Sequence, residues 1–395
     1  MISFDEAWAI VAAEAKPLGG EQVALADAHN RTLAAPVTAL VDWPPADVSA
    51  MDGYAVRDSE FAAGARSFLV AGEAFPAAPF TGASGQGTTI RIFTGAAIPE
   101  GFDRVIVQEM VRRDGDTAVI EGDVSSAPHI RRRGSDFRAG DILLDAGRRL
   151  DPRALVAAAG ADVGELLVWR RPRVAILGTG DELVAPGQAR GHPGSIPESV
   201  SAGVAGLVSE WGGITVASDR RRDDPEAIGA GAAAALDTAD LLVMTGGASV
   251  GDRDYAKPVL ASLGLELLFS KVAIKPGKPV WFGRARGGLV LGLPGNPTSA
   301  MVTARLFLAP LLAGLAGRAP DEAARWRRAS LARALGPNGD RETFVRARGA
   351  GDSVEPLGDQ DSGAQKVMAD ADVLIRRPID APAAPAGTPV DVLDL

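Results

Sequence analysis

Cysteine is absent from the 395-residue chain, which excludes disulfides, thiolate zinc sites, iron–sulfur clusters and cysteine nucleophiles. Histidine is scarce: His29, His129 and His192 are the full complement, too scattered to suggest a histidine metal cluster. The longest apolar run, Leu306 to Gly317, has 12 residues between Arg305 and Arg318, short of the roughly 20 needed to span a bilayer. Positive charge is in deficit, with 41 lysines and arginines against 50 acids and a net charge of −9. That balance repels phosphate backbones and anionic lipid, so neither nucleic acid nor a membrane is an expected partner. The opening MISFDEAW is acidic where a secretory signal would be basic, so a cytoplasmic location is expected.

Lysine is the other rarity. The chain has 6, and four of them, Lys257, Lys271, Lys275 and Lys278, fall in one short segment. A chain that otherwise uses arginine keeps a compact, strongly hydrated point charge there, which suits an oxyanion where a guanidinium fork would not fit.

What is present reads as several domains. Ser3 and Glu6 make a capping box for a first helix with Phe4, Ala7, Trp8 and Val11 at helical spacing. From about Phe61 to Gly147, short alternating apolar runs separated by Gly, Pro and Asp predict an all-β insert. Asp151-Pro152 supplies an N-cap and first-turn proline for a second helix, and the two helices bracketing the insert are expected to pack together. From Arg173 onward, apolar strands alternate with helices, which implies a doubly wound, mainly parallel α/β sheet. Short strands after the Arg325–Arg328 cluster suggest a small C-terminal β domain. The expected units are a discontinuous helical N-terminal domain (1–45 with 139–170), a β-rich insert (46–138), an α/β domain (171–320) and a C-terminal β domain (325–395).

Ligands of open α/β sheets sit beyond the carboxyl ends of the strands. The loops expected there read GTGDEL (178–183), TGGASVGDRDY (245–255) and GLPGNP (292–297). The first lacks the third glycine of a dinucleotide fingerprint and carries Asp181-Glu182 instead. Carboxylates beside a phosphate need a cation between them, which favours magnesium held by few protein ligands plus phosphate oxygens. The second loop offers a backbone nest followed by Asp252 and Asp254, or else a turn whose aspartates cap the next helix. The third precedes a helix start, which is either an anion site or a plain connection. Lys271 and Lys275, four apart, would lie on one side of an extended strand. In the first half, DVSAMDGY (47–54) has no hydrophobic period, and Arg131-Arg132-Arg133 is a basic triplet that an edge-strand guard would equally explain.

The strings SAMDGYA (49–55), TGAAIPEG (94–101), GTGDEL, TGGASVGDRDY, KPGKP (275–279) and GLPGNPTSA (292–300) resemble the MoeA family, the molybdopterin molybdenumtransferases, to which the gephyrin E domain also belongs. The resemblance runs through the whole chain. It implies insertion of molybdate into adenylylated molybdopterin with release of AMP, completing molybdenum cofactor biosynthesis. It implies catalytic roles for Asp52, Thr94, Asp223, Lys271 and Lys275. Substrate contacts would come from Gly246, Gly247, Ser249, Asp254, Pro294, Pro297, Arg346 and Ser362, and magnesium ligands from Glu182 and Asp254. It further implies a homodimer with composite sites and a possible contact with the adenylylating enzyme. The alternative is a molybdopterin-binding scaffold of the gephyrin type without turnover.

Overall fold

The structure, a computed structural model, describes residues 1–246 and 255–395. Its central sheet has the strand order Ile214–Arg221, Arg173–Thr179, Leu241–Thr245, Gly288–Leu293, Trp281–Ala285, Glu266–Phe269. The first four strands are parallel to their neighbours and the last two run antiparallel. Alternation along each strand sorts the side chains by face. Val174, Ile176, Leu241 and Val243 share a core with the helices Phe4–Glu14, Val200–Glu210 and a long helix that starts at Pro297. Ala175, Leu177, Leu242 and Met244 face the helices Pro225–Leu236 and Ala256–Ser262. Both faces are covered, as near-continuous apolar strands require.

The long helix runs Pro297–Leu315 with a π-type turn at Ala304–Leu308. Its 19 residues are long and apolar enough to cross a membrane, yet 94% of its most apolar stretch is buried inside the fold. It is the core helix of the molecule. It matches the long apolar helix expected from about Thr298 to Leu315, and Arg305 in its middle is accommodated by bonding the carbonyls of Ala323 and Asp394.

The capping box of the first helix forms as expected, but the packing expected of that helix does not. Phe4, Ala7 and Val11 enter the α/β core, while the helix Pro152–Gly160 buries Ala154 and Ala158 among Leu33, Val37, Leu166 and Val168. The reason lies in side-chain size. Phe4 needs a deep aromatic niche, supplied by Phe344 at 5.0 Å, Phe307 at 5.7 Å and Trp326 at 6.4 Å between ring centroids, whereas an alanine stripe offers none. What draws residues 20–40 to residues 139–169 is strand pairing: Gly20–Ala24 runs antiparallel to Glu165–Trp169, and Val37–Thr38 to Ile142–Leu144.

Within the insert, six strands order as Arg104–Val107, Gly53–Val56, Thr88–Ile92, Ser67–Ala74, Thr117–Ile120, Val111–Asp114. Its two apolar clusters draw only on residues between Ala55 and Ile130. Arg132 and Arg133 pair with Asp47 and Asp42, each at 2.6 Å. Two of the three arginines therefore fasten the crossing into the insert rather than guarding a sheet edge.

The C-terminal strands Arg327–Leu331, Glu342–Ala350, Ser353–Pro356, Val373–Arg377 and Pro389–Asp394 close into a small barrel. Ile274–Lys275 adds to it in parallel beside Glu342 and Thr343. The lysine segment is thus not the single extended strand that its spacing suggests. The Ile274 N–H bonds the Val272 carbonyl at 2.9 Å, a turn between Lys271 and Lys275. Val272 bridges Ile2 and Ile274 joins the barrel, so the backbone pairs with different partners on the two sides of the turn while both side chains enter the same core. Replacing Phe344, which links Phe4 to the barrel, with alanine should cost about 3–5 kcal/mol. Denaturant unfolding monitored by tryptophan fluorescence would read this as an earlier first transition, and an unmoved transition would contradict it.

Candidate active site

Three parallel strands end side by side, with Gly178 opposite Thr245 and Thr245 opposite Leu293. The loops beyond them line a cleft of about 640 Å³ that includes Gly180, Glu182, Asp223, Gly246, Pro294 and Pro297. This is the carboxyl edge where open α/β sheets take ligands. The loops approach too closely for side chains: Gly246 has φ +85°, and a Cβ there would sit 2.5 Å from the Thr179 carbonyl oxygen. Only glycine meets both demands. The long helix begins at Pro297 with no side-chain cap on its first turn, which leaves backbone N–H groups at the cleft wall for an anion.

Carboxylates line the same cleft. The Glu182 oxygens lie 3.0 and 3.1 Å from where a Cβ on Gly180 would stand, so the side chain folds back over the turn. Asp181 instead points to Arg222 at 3.3 Å and accepts the Asp223 N–H. Glu198 also lines the cleft and accepts the Ser201 N–H at 2.9 Å at the start of the helix Val200–Glu210. Sequence reasoning missed Glu198; an acid just ahead of a helix is so ordinary a cap that nothing separated it from background. No cluster of three or more metal-ligating side chains stands together among the described residues. The donor set still fits magnesium, which takes one or two carboxylates and fills its other positions with water and substrate phosphate. Among the carboxylates lining the cleft, Glu182 could serve as one such ligand.

A second cleft of about 540 Å³, lined by Lys275, Lys278, Arg341, Gln360 and Ser362, adjoins the first, sharing Pro279 and Ser299 with it. Ser362 is tied to the PGNP loop by Asn296 Nδ2, which donates to Ser362 Oγ at 2.9 Å. Lys271 is half-buried and lines neither cleft. Arg346 does not line them either. It is fully buried, with its backbone N–H and Nε donating to Gln360 Oε1 at 3.0 and 3.2 Å and Nη1 to the Asp361 carbonyl at 2.9 Å. Its place is beneath the loop that presents Ser362, and Gln360, unremarked in the sequence, completes that clamp. Gly247, Ser249, Asp252 and Asp254 lie outside the described residues.

Asp52 and Thr94 do meet, on the insert and outside both clefts. Asp52 Oδ1 accepts the Thr94 N–H at 2.7 Å and its hydroxyl at 2.8 Å. These two bonds, with a smaller contribution from Arg91, hold the Asp52 carboxyl below the usual carboxylate range.

Family models match the chain in three consecutive stretches: the MoeA N-terminal region over residues 2–161, a probable molybdopterin binding domain over 175–314, and the MoeA C-terminal region over 328–395. The chain belongs to the MoeA family. It is 34% identical to a molybdopterin molybdenumtransferase of Synechococcus elongatus, with 100% of both chains covered. It is 36% identical to molybdopterin molybdenumtransferase 2 of Mycobacterium tuberculosis over 94% of each. A crystal structure of a molybdopterin biosynthesis MoeA protein from Pyrococcus horikoshii superposes with a TM-score of 0.85 at 28% identity, covering 100% of this chain and 99% of that one. This MoeA chain is accordingly a transferase of molybdenum cofactor biosynthesis.

Thr94 should govern the charge of Asp52. Folding lowers the Asp52 pKa, so the preference for its ionised form in the folded chain is present above the unfolded pKa and is lost as pH falls through the lowered folded value. Thr94→Val removes the hydroxyl bond and should raise the Asp52 pKa toward the ordinary range, as followed by carboxyl-carbon NMR. An identical titration in the variant would contradict the assignment.

Proposed function

We propose that this chain inserts molybdate into adenylylated molybdopterin and releases AMP, in the cytoplasm. The observation that carries the reading is the paired cleft: a carboxylate-bearing cavity at the strand ends, continuous with a lysine-lined one, in a chain that matches MoeA models from end to end. The substrate phosphates would lie against the Gly246 backbone and the first turn of the helix at Pro297, with Pro294 and Pro297 shaping the wall. Lys275 in the second cleft supplies fixed positive charge that offsets repulsion between molybdate and the adenylyl phosphate, and Lys271, four residues earlier in the chain, adds to it. Ser362, presented by Arg346 and Gln360, adds a hydroxyl beside Lys275. Glu182, with Asp254, would hold magnesium, which neutralises charge on the departing phosphate. Asp223 at the cleft edge accepts or positions a proton at the leaving group. Gly247 and Ser249, next along the sequence from Gly246, would add substrate contacts.

Asp52 and Thr94 require a second copy of the chain in this reading. The insert carries its own apolar clusters, and its ionised Asp52 lies outside both clefts. In a twofold homodimer the insert of one subunit covers the cleft of the other, giving two identical composite sites. Substrate would be handed over by an adenylylating enzyme that docks at the open cleft.

Purified protein supplied with adenylylated molybdopterin should release AMP only when molybdate and magnesium are both present. Lys275→Ala should slow that release about 30-fold, equivalent to about 2 kcal/mol, and Lys275→Arg should restore little because the fork is the wrong shape for a point-charge site. AMP release that is indifferent to molybdate and magnesium would overturn the proposal.

A further inference from the structure

A third cleft, of about 440 Å³, opens at the seam between the discontinuous N-terminal unit and the α/β domain. Arg31, Arg149, Arg171 and Arg318 line it, together with His29 and a single acid, Glu210. It shares no lining residue with either cleft of the candidate active site. The helix Val200–Glu210 begins on the catalytic cleft at Val200 and ends here at Glu210. At about 1.5 Å per residue, its 11 residues separate the two by about 16 Å.

Two of the four guanidinium groups are committed. Arg31 donates to Glu21 and to the Trp169 carbonyl, and Arg318 bonds Glu322 at 2.9 Å while its guanidinium lies 4.6 Å from the Trp211 ring centre. Arg149 and Arg171 are not: among the described residues, no carboxylate lies within 4 Å of either. Arg149 is instead oriented by Asn30, whose Oδ1 accepts from it at 2.8 Å and whose backbone is held at φ +62°. With Arg31 and Arg318 already paired, Arg149 and Arg171 leave the cavity a surplus of positive charge that only Glu210 among its lining residues offsets, which favours entry of an anion. In a chain of net charge −9, such a cluster does not follow from composition.

We propose that this seam cleft binds a phosphate-bearing small molecule, with Arg149 and Arg171 as its principal ligands. Planar guanidinium forks match phosphate oxygens in bidentate fashion, and the volume lies within the range of small-ligand cavities, about 300–1,000 Å³. The proposal does not depend on the reaction assigned to the catalytic cleft.

Isothermal titration with inorganic pyrophosphate at constant ionic strength tests it. The wild-type chain should show a binding component that weakens at least tenfold in the Arg149→Ala, Arg171→Ala double variant. The same loss is expected in Ser209→Glu, which places a carboxylate in the cleft from an exposed helix position. Lys275→Ala should retain the component, and the arginine variants should keep wild-type AMP release. Binding that survives both seam variants, or that disappears with Lys275→Ala, would overturn the proposal. So would seam variants that alter the oligomeric state while leaving pyrophosphate binding unchanged.

Discussion

The burial of Phe4 is the constraint on which the rest of the molecule depends. Its ring sits among Phe307 of the long helix, Phe344 of the barrel and Trp326 between them, so one side chain near the start of the sequence locks together three parts of the fold. The backbone beside it does the same: Ile2 exchanges hydrogen bonds with the lysine segment, through the Lys271 carbonyl and the Ala273 N–H. Fixing the barrel against the α/β core sets where the loop at residues 360–362 stands relative to the PGNP loop. The Asn296–Ser362 bond and the position of Lys275 follow from that docking.

The catalytic region separates opposite charges by backbone rather than by distance alone. Acids stand on loops at the strand ends, whereas the lysines belong to a segment that has left the α/β sheet to join the barrel. Positive charge therefore arrives from one domain and negative charge from another, while Gly246 lets the strand-end loops of the α/β domain pack closely against one another. In the proposed reaction, the molybdenum-binding sulfurs belong to the pterin, which accounts for a chain without cysteine. The protein's own task is then to hold two anions and a cation in order.

Much of this was legible in the sequence. Apolar strands without alternation announced a sheet covered on both faces, Ser3 with Glu6 and Asp151 with Pro152 marked helix starts, and the glycine and proline loops marked the strand ends that line the cleft. The remainder was hidden for physical reasons. Partner choice by the first helix depends on which surface offers a niche for an aromatic ring, and that is a property of residues 300 positions away. The turn between Lys271 and Lys275 accompanies a change of backbone partner, from Ile2 at Val272 to the barrel strand at Ile274, which spacing alone does not encode. Arg346 and Gln360 act through burial and hydrogen bonds, and the seam cleft gathers arginines from four separate stretches of chain.

The central claim is that the acid and hydroxyl on the insert and the lysine beside the cleft serve one site built from two copies of the chain. Subunit mixing tests it most directly: Asp52→Ala protein and Lys275→Ala protein, each strongly impaired alone, are combined under conditions of demonstrated exchange, and AMP release is measured. Half of the dimers should then be mixed, each with one intact and one doubly damaged site, restoring roughly a quarter of wild-type activity by that symmetry. No recovery despite exchange would mean that each site is built within a single chain, and would contradict the account.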